Sequence, residues 1–314
     1  MMRFPYSLVL GRTFLFRSFL FRSFLFRAFL FRSFLFRSFS FLALLFAFIA
    51  PLTATGPAHA QSGRRHLTMA EIEALPNSFP IVLRPPTSPT LRPIYTRMVE
   101  LGEKFNPLNI GLLLSQVLYI ESLRTPVIVE QCGAPGLHFA RRQNHIRVCY
   151  ELIPEVNQLL GKPRAQWFEI DSATRAFLMF AMLHEMAHAL IKNLGIPVAG
   201  REEDAADQLA LLFMTQAPDR ELAHRIVRAP AAFFFRHSIE VEGPAGHDAS
   251  DEHLSSAQRA ADVLCLLYGR HPDPTLAPQL SRTTAACIDF ARRAAATWNA
   301  RLAHHTRVDS GRMF

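Results

Sequence analysis

Asp171-Ser-Ala-Thr-Arg-Ala-Phe-Leu-Met-Phe-Ala-Met-Leu-His184-Glu185-Met-Ala-His188-Ala-Leu-Ile-Lys-Asn-Leu-Gly195 is the stretch on which the reading of the fold turns. Asp171-Ser172 supplies N-cap residues, Gly195 supplies a C-terminal stop, and the residues between are apolar on nearly every face. A helix of that kind belongs inside a core rather than on a surface. Two histidines and a glutamate stand in its middle, in the order H-E-x-x-H. Residues four apart on a helix differ by about 40° around the axis and one turn along it, so His184 and His188 can reach one ion. Glu185 lies about 60° from His188 on the same side and can border the ion without binding it. That is the place of a general base acting on zinc-activated water. Polar groups buried in an apolar helix cost several kcal/mol unless paired or metal-bound, which favours a site over two core histidines satisfied by backbone carbonyls.

A hydrolytic zinc needs a third protein ligand and one open position. A metzincin would place Gly at 191 and His at 194, where this chain has Ile191 and Leu194. The next acidic cluster is Arg201-Glu202-Glu203-Asp204-Ala205-Ala206-Asp207, at the start of a second helix expected over residues 201–216. Glu203 is expected to close the zinc site, with Asp207 one turn on hydrogen-bonding a ligand histidine and fixing its tautomer. Glu202 is the rival ligand, but it lines up with Ala206, Leu209 and Phe213, which read as that helix's core face. The same acids also suit a helix N-terminus. Asp251-Glu252-His253 offers a further candidate, with His253 as a donor toward the oxyanion of a tetrahedral intermediate. His237, His247 and His271 stand near turn residues and are expected at the surface, and Phe233-Phe234-Phe235 in the core.

Around this centre the pattern is helical over 94–123, then β-type at Pro126-Val127-Ile128-Val129-Glu130 and Ile146-Arg147-Val148-Cys149-Tyr150, a hairpin or sheet pair separated by a Gly/Pro-bearing loop. Helices are expected again at 151–160, 219–227, 254–268 and 281–303. The fold class is α+β and mostly α, with a small sheet or hairpin packed on the H-E-x-x-H helix.

The first 60 residues must be read apart. They hold seven arginines and no Lys, Asp or Glu, leaving 27 basic against all 26 acidic residues in the other 254. The sequence pI of 9.8 therefore belongs to the leader, and nucleic acid is excluded as a partner on that ground. The apolar run Phe39–Ala50, then Pro51, then Ala58-His59-Ala60 ahead of Gln61 is a signal-peptide layout, with cleavage expected after Ala60. Twelve apolar-rich positions are short for a span, which needs about 20. The membrane thus enters only through export, and the mature chain is expected in the periplasm or outside the cell. Phe14 to Ser38 is five near-perfect copies of Phe-Leu-Phe-Arg-Ser/Ala. A five-residue period scatters the arginines around a helix, so it makes no amphipathic stripe and reads as a low-complexity n-region. Residues 61–93 form an arm or linker, with a capping box at Thr68-Met69-Ala70-Glu71 and a proline-rich piece at 84–93, before a domain at 94–314. Four cysteines in an exported chain favour two disulfides, which spacing assigns as Cys132–Cys149 and Cys265–Cys287. None forms a Cys-x-x-Cys pair, so a thiolate zinc site is not expected.

His184–His188, Gly200-Arg-Glu-Glu-Asp-Ala-Ala-Asp207, Asp251-Glu252-His253 with Gln258-Arg259, Cys265-Leu-Leu-Tyr-Gly269 and Cys287 together resemble a family of secreted bacterial proteins described as putative metallopeptidases. Cys132-Gly133 and Cys149-Tyr150-Glu151 fit it too, and the likeness spans roughly residues 94–300. The resemblance implies a zincin-type fold of gluzincin character, with His184, His188 and a downstream Glu as ligands. Fourteen residues separate His188 from Glu203, fewer than in thermolysin-like peptidases. The expected activity is hydrolysis of a peptide or protein substrate. The alternative is an exported zinc-binding or partner-binding protein without catalysis.

Overall fold

A computed structural model describes residues 77–105, 110–120, 122–243, 246–248, 252–307 and 313–314. The leader, its repeats, its cleavage site and the capping box at residues 68–71 lie outside the described residues, as does Asp251. In chain order the elements are β1 (Ile81–Leu83), α1 (Arg92–Phe105), α2 (Gly111–Val117), β2 (Val127–Glu130), β3 (Leu137–Ala140), β4 (His145–Cys149) and α3 (Leu152–Leu159). There follow α4 (Ser172–Leu194), α5 (Glu202–Met214), α6 (Arg220–His237), α7 (Ser256–Arg270) and α8 (Thr284–Leu302). The protein is mostly helical with a small sheet, as its sequence pattern implies. No helix among the described residues is long and apolar enough to cross a membrane.

The sheet runs in the order β1-β2-β4-β3. Val127 and Val129 alternate inward along β2, and Ile146 and Val148 do so along β4, all at most 1% exposed. The two strands seen in the sequence are sheet neighbours but parallel, Val127 facing Ile146 and Glu130 facing Cys149. A parallel pair cannot be a hairpin, because it needs a crossover connection. Here the connection contains β3, which pairs antiparallel with β4 from Leu137↔Val148 to Ala140↔His145. The hairpin is thus β3–β4, turning at residues 141–144 with Asn144 at φ 53°. β3 was not expected as a strand, since Leu-His-Phe-Ala is four residues without a β-branched side chain. Ile81–Leu83, from the stretch read as arm or linker, lies parallel along β2, and Phe79 just before it is fully buried.

Both disulfides have the expected partners, Cys132–Cys149 and Cys265–Cys287. The first ties the end of β2 to the end of β4, and the second ties α7 to α8; each closed loop is of a size worth about 3 kcal/mol. Gly269 lets α7 and α8 approach so closely that an added Cβ would clash with the Cys287 carbonyl.

α6 is longer than expected, continuing past Pro230 to His237. Proline inside a helix costs about 3 kcal/mol. Burial of Phe233 and Phe234 against α4 opposes that cost: the Phe233 ring centroid is 4.0 Å from Phe177, and that of Phe234 is 5.6 Å from Phe180. Phe235 departs from the expected core placement and is 58% exposed. His237, His247 and His271 depart from the expected surface placement. Each is half-buried and bonded, His237 to Ser256 Oγ, His247 to the His253 carbonyl and His271 to the Thr215 carbonyl. Turn residues nearby in sequence said nothing about which elements would cover them.

α4 is the central rod. Asp171 caps it by accepting from the Thr174 amide at 3.0 Å, and Lys162 reaches the same carboxylate at 2.6 Å. Burial pulls the Asp171 carboxyl up, but the Lys162 ammonium and the Thr174 donors outweigh it and hold the pKa below the ordinary value. Asp171→Ala is expected to cost about 1 kcal/mol of unfolding free energy at pH 7. A depressed folded pKa stabilises above the unfolded value near 3.9 and is lost as pH falls through the folded one. The gap between wild type and variant should therefore shrink below about pH 4, which denaturant titrations at two pH values would read.

Candidate metal centre

α4 runs through the core, with Met182, Met186, Ala187 and Leu190 fully buried. The same burial takes His184 and His188 to 4% and 8% exposure. Gly195, at φ 62°, ends the helix in the left-handed conformation, and a short connection returns the chain to Arg201. α5 therefore starts beside the two histidines, with Glu202, Glu203 and Asp204 in its first turn.

Glu203 meets both rings. Its Oε2 is 3.0 Å from His184 Nε2 and 3.3 Å from His188 Nε2, and the two Nε2 atoms are 3.1 Å apart. The outer nitrogens are engaged elsewhere, His184 Nδ1 with Asp207 Oδ1 at 2.7 Å and His188 Nδ1 with Glu202 Oε1 at 2.7 Å. A carboxylate can only accept, so each Nδ1 donates, and in neutral rings each Nε2 then turns a lone pair inward. Two lone pairs and a carboxylate converging at these separations repel one another unless protons or a metal cation lie among them. Ligand atoms bound at about 2.0–2.1 Å in a tetrahedron stand about 3.3–3.4 Å apart, close to the three separations found. The donor set thus fits a small dication favouring nitrogen and oxygen ligands.

Charge follows the same geometry. For His184, burial alone would lower the pKa, but Asp207 and then Glu203 outweigh it and raise it to about 10. Burial of Glu203 is outweighed by hydrogen bonds from His184, His188 and His253, which hold its carboxyl far below the ordinary range. Asp207 is likewise held low: Arg259 outweighs its burial, donating through Nε and Nη2 at 2.8 Å each. Glu185 is different, because burial dominates and raises its pKa against the pull of His184, His188 and the Phe139 amide. That amide donates to Glu185 Oε2 at 2.7 Å. β3 thereby lies against the H-E-x-x-H helix.

All the residues singled out in the sequence meet here: His184, Glu185, His188, Glu203, Asp207 and His253. His253 Nε2 stands 2.9 Å from Glu203 Oε2, and its ring centroid is 6.0 Å from that of His184. Glu202 approaches the outer nitrogen of His188, so it lies behind the ring and not in the inner cluster. Its alignment with Ala206 and Leu209 reads as core packing, but its carboxylate is 30% exposed and pairs with His188 and Arg141. Arg141, paired with Glu202, and Arg259, paired with Asp207, were not assigned roles from sequence. Beside the cluster is a cavity of about 160 Å³, walled by Leu137, Phe177, Phe180, Phe233 and Phe234 and reaching Glu185 and His253.

A family model described as "putative metallopeptidase" matches residues 110–302, a span that contains every residue of this cluster. No curated protein and no solved structure matches the chain.

Proposed function

The chain belongs to that family of putative metallopeptidases, and from this premise we propose that it is an exported zinc-dependent peptidase that hydrolyses peptide bonds with Glu185 as base. The observation that carries the reading is the convergence of His184 Nε2, His188 Nε2 and a Glu203 oxygen, each ring braced from behind by a carboxylate. When bound, zinc supplies Lewis acidity, lowering the pKa of water and polarising the scissile carbonyl. His184, His188 and Glu203 would hold it.

Glu185, kept in place by the Phe139 amide, accepts a proton from the attacking water and delivers it to the leaving amine as the C–N bond breaks. A buried carboxyl with a raised pKa suits both halves of that transfer. His253 lies on the rim of the cavity, where its ring can donate toward the oxyanion. β3 is the outer strand of the sheet and borders the cavity through Leu137, so an extended peptide can lie beside it while the Phe139 amide stays with Glu185. The phenylalanine-walled cavity then receives an apolar side chain next to the scissile bond. Two disulfides favour an oxidising compartment, in keeping with export by the leader.

Zinc analysis of the purified mature chain, paired with cleavage of a mixed peptide library, tests the reading. One zinc per chain with chelator-sensitive cleavage is expected. Zinc without turnover on any peptide would instead favour a non-catalytic zinc protein.

A further inference from the structure

We propose that Arg141 is a positioning residue of the metal centre, and that the His188 side, which it secures through Glu202, is the side that opens when the ion leaves. The proposal rests on the zinc reading above. It starts from an asymmetry between the two imidazole braces. Behind His184 stand Asp207 and Arg259, whose side chains are only 17% and 15% exposed. Arg259 grips Asp207 with two nitrogens and lies 4.1 Å above the Phe234 ring. Behind His188 stand Glu202 and Arg141, 30% and 51% exposed, joined by a single contact. An ion pair open to water is weak and is screened by salt, whereas the inner pair is shielded from both.

The outer brace is nonetheless built, not incidental. Arg141 follows the last residue of β3, and its carbonyl accepts from Lys192 Nζ at 2.5 Å. Lys192 is four residues beyond His188 and so lies on the same face of α4. It also reaches Asn144 Oδ1, while the Asn144 amide group donates to the Arg124 carbonyl, which pins the hairpin turn. The contacts close a ring: His188 to Glu202, Glu202 to Arg141, Arg141 to Lys192, and along α4 back to His188. Glu202 sits beside Glu203 and Asp204 in one helical turn. Without the Arg141 guanidinium, that repulsion favours turning Glu202 outward, which frees the His188 ring to rotate off the ion.

Zinc-loaded full-length mature protein would be mixed with excess chromogenic chelator and the release rate followed, alongside the thermal transition of the metal-free form. Arg141→Ala is expected to release zinc about 10-fold faster, in the range that outer partners of metal ligands command. Its metal-free transition should match wild type, and Arg141→Lys should recover part of the slow release. High salt should bring wild type toward the variant. Equal release from wild type and Arg141→Ala would overturn the proposal. So would faster release accompanied by an equal loss of metal-free stability, the mark of a general structural role. Should Arg141→Ala not fold, Glu202→Gln breaks the same ring at its next link, and unchanged release there overturns the proposal equally. Failure of the wild type to take up zinc would be read separately, as the fall of the zinc reading and this proposal with it.

Discussion

Glu185→Gln is expected to leave one zinc per chain and to cut kcat by about 1,000-fold. The substitution keeps the shape of the side chain and an oxygen for the Phe139 amide to donate to, so the local structure has no reason to move. It removes the ability to take a proton, and general acid–base catalysis of that kind is worth about 10²–10⁴ in rate. The ligand set is untouched, because Glu185 is not part of the inner cluster of His184, His188 and Glu203. Burial raises the Glu185 pKa, so a neutral amide in its place costs the fold little. Metal content by atomic absorption and kcat on the best library peptide are the two readouts. Cleavage at the wild-type rate would remove Glu185 from the mechanism.

Glu203→Ala should weaken zinc binding far more than Glu202→Gln does. Glu203 touches three rings at once, with His184 at 3.0 Å, His188 at 3.2 Å and His253 at 2.9 Å. Its loss takes away one of the three proposed ligands, whereas loss of the Glu202 charge disturbs only the brace behind His188. Outer partners of this kind cost about 10–100-fold in affinity, so Glu202→Gln should fall in that window and Glu203→Ala beyond it. Competition titrations against a chelator of known affinity would rank the two. The reverse order would make Glu202 the ligand and Glu203 its support.

The parts of this protein that could be read from sequence are those whose physics is local. α4 came out within a residue at both ends, because Asp171 and Gly195 punctuate it and its apolar pattern is unbroken. His184, Glu185 and His188 follow from helical spacing alone. Glu203 and Asp207 needed only the assumption that the next helix returns beside the first. What escaped was tertiary. β3 is too short to show a period, and its partner β4 lies across a turn whose geometry rests on Asn144 in a left-handed conformation. Pro230 reads as a helix stop, and only the Phe233 and Phe234 contacts on α4 explain why α6 runs through it. Arg141 and Arg259 lie 61 and 52 residues from their carboxylate partners, and no pattern in the chain pairs them.

The account stands on one dication held by two imidazoles and a carboxylate, which X-ray absorption at the zinc edge of the loaded protein can examine. The expected spectrum has nitrogen and oxygen neighbours at about 2.0–2.1 Å with the outer-shell signature of two imidazoles, and that signature falls to one in His188→Ala. Absence of zinc uptake, or sulfur at about 2.3 Å in a chain whose cysteines are all paired, would contradict it.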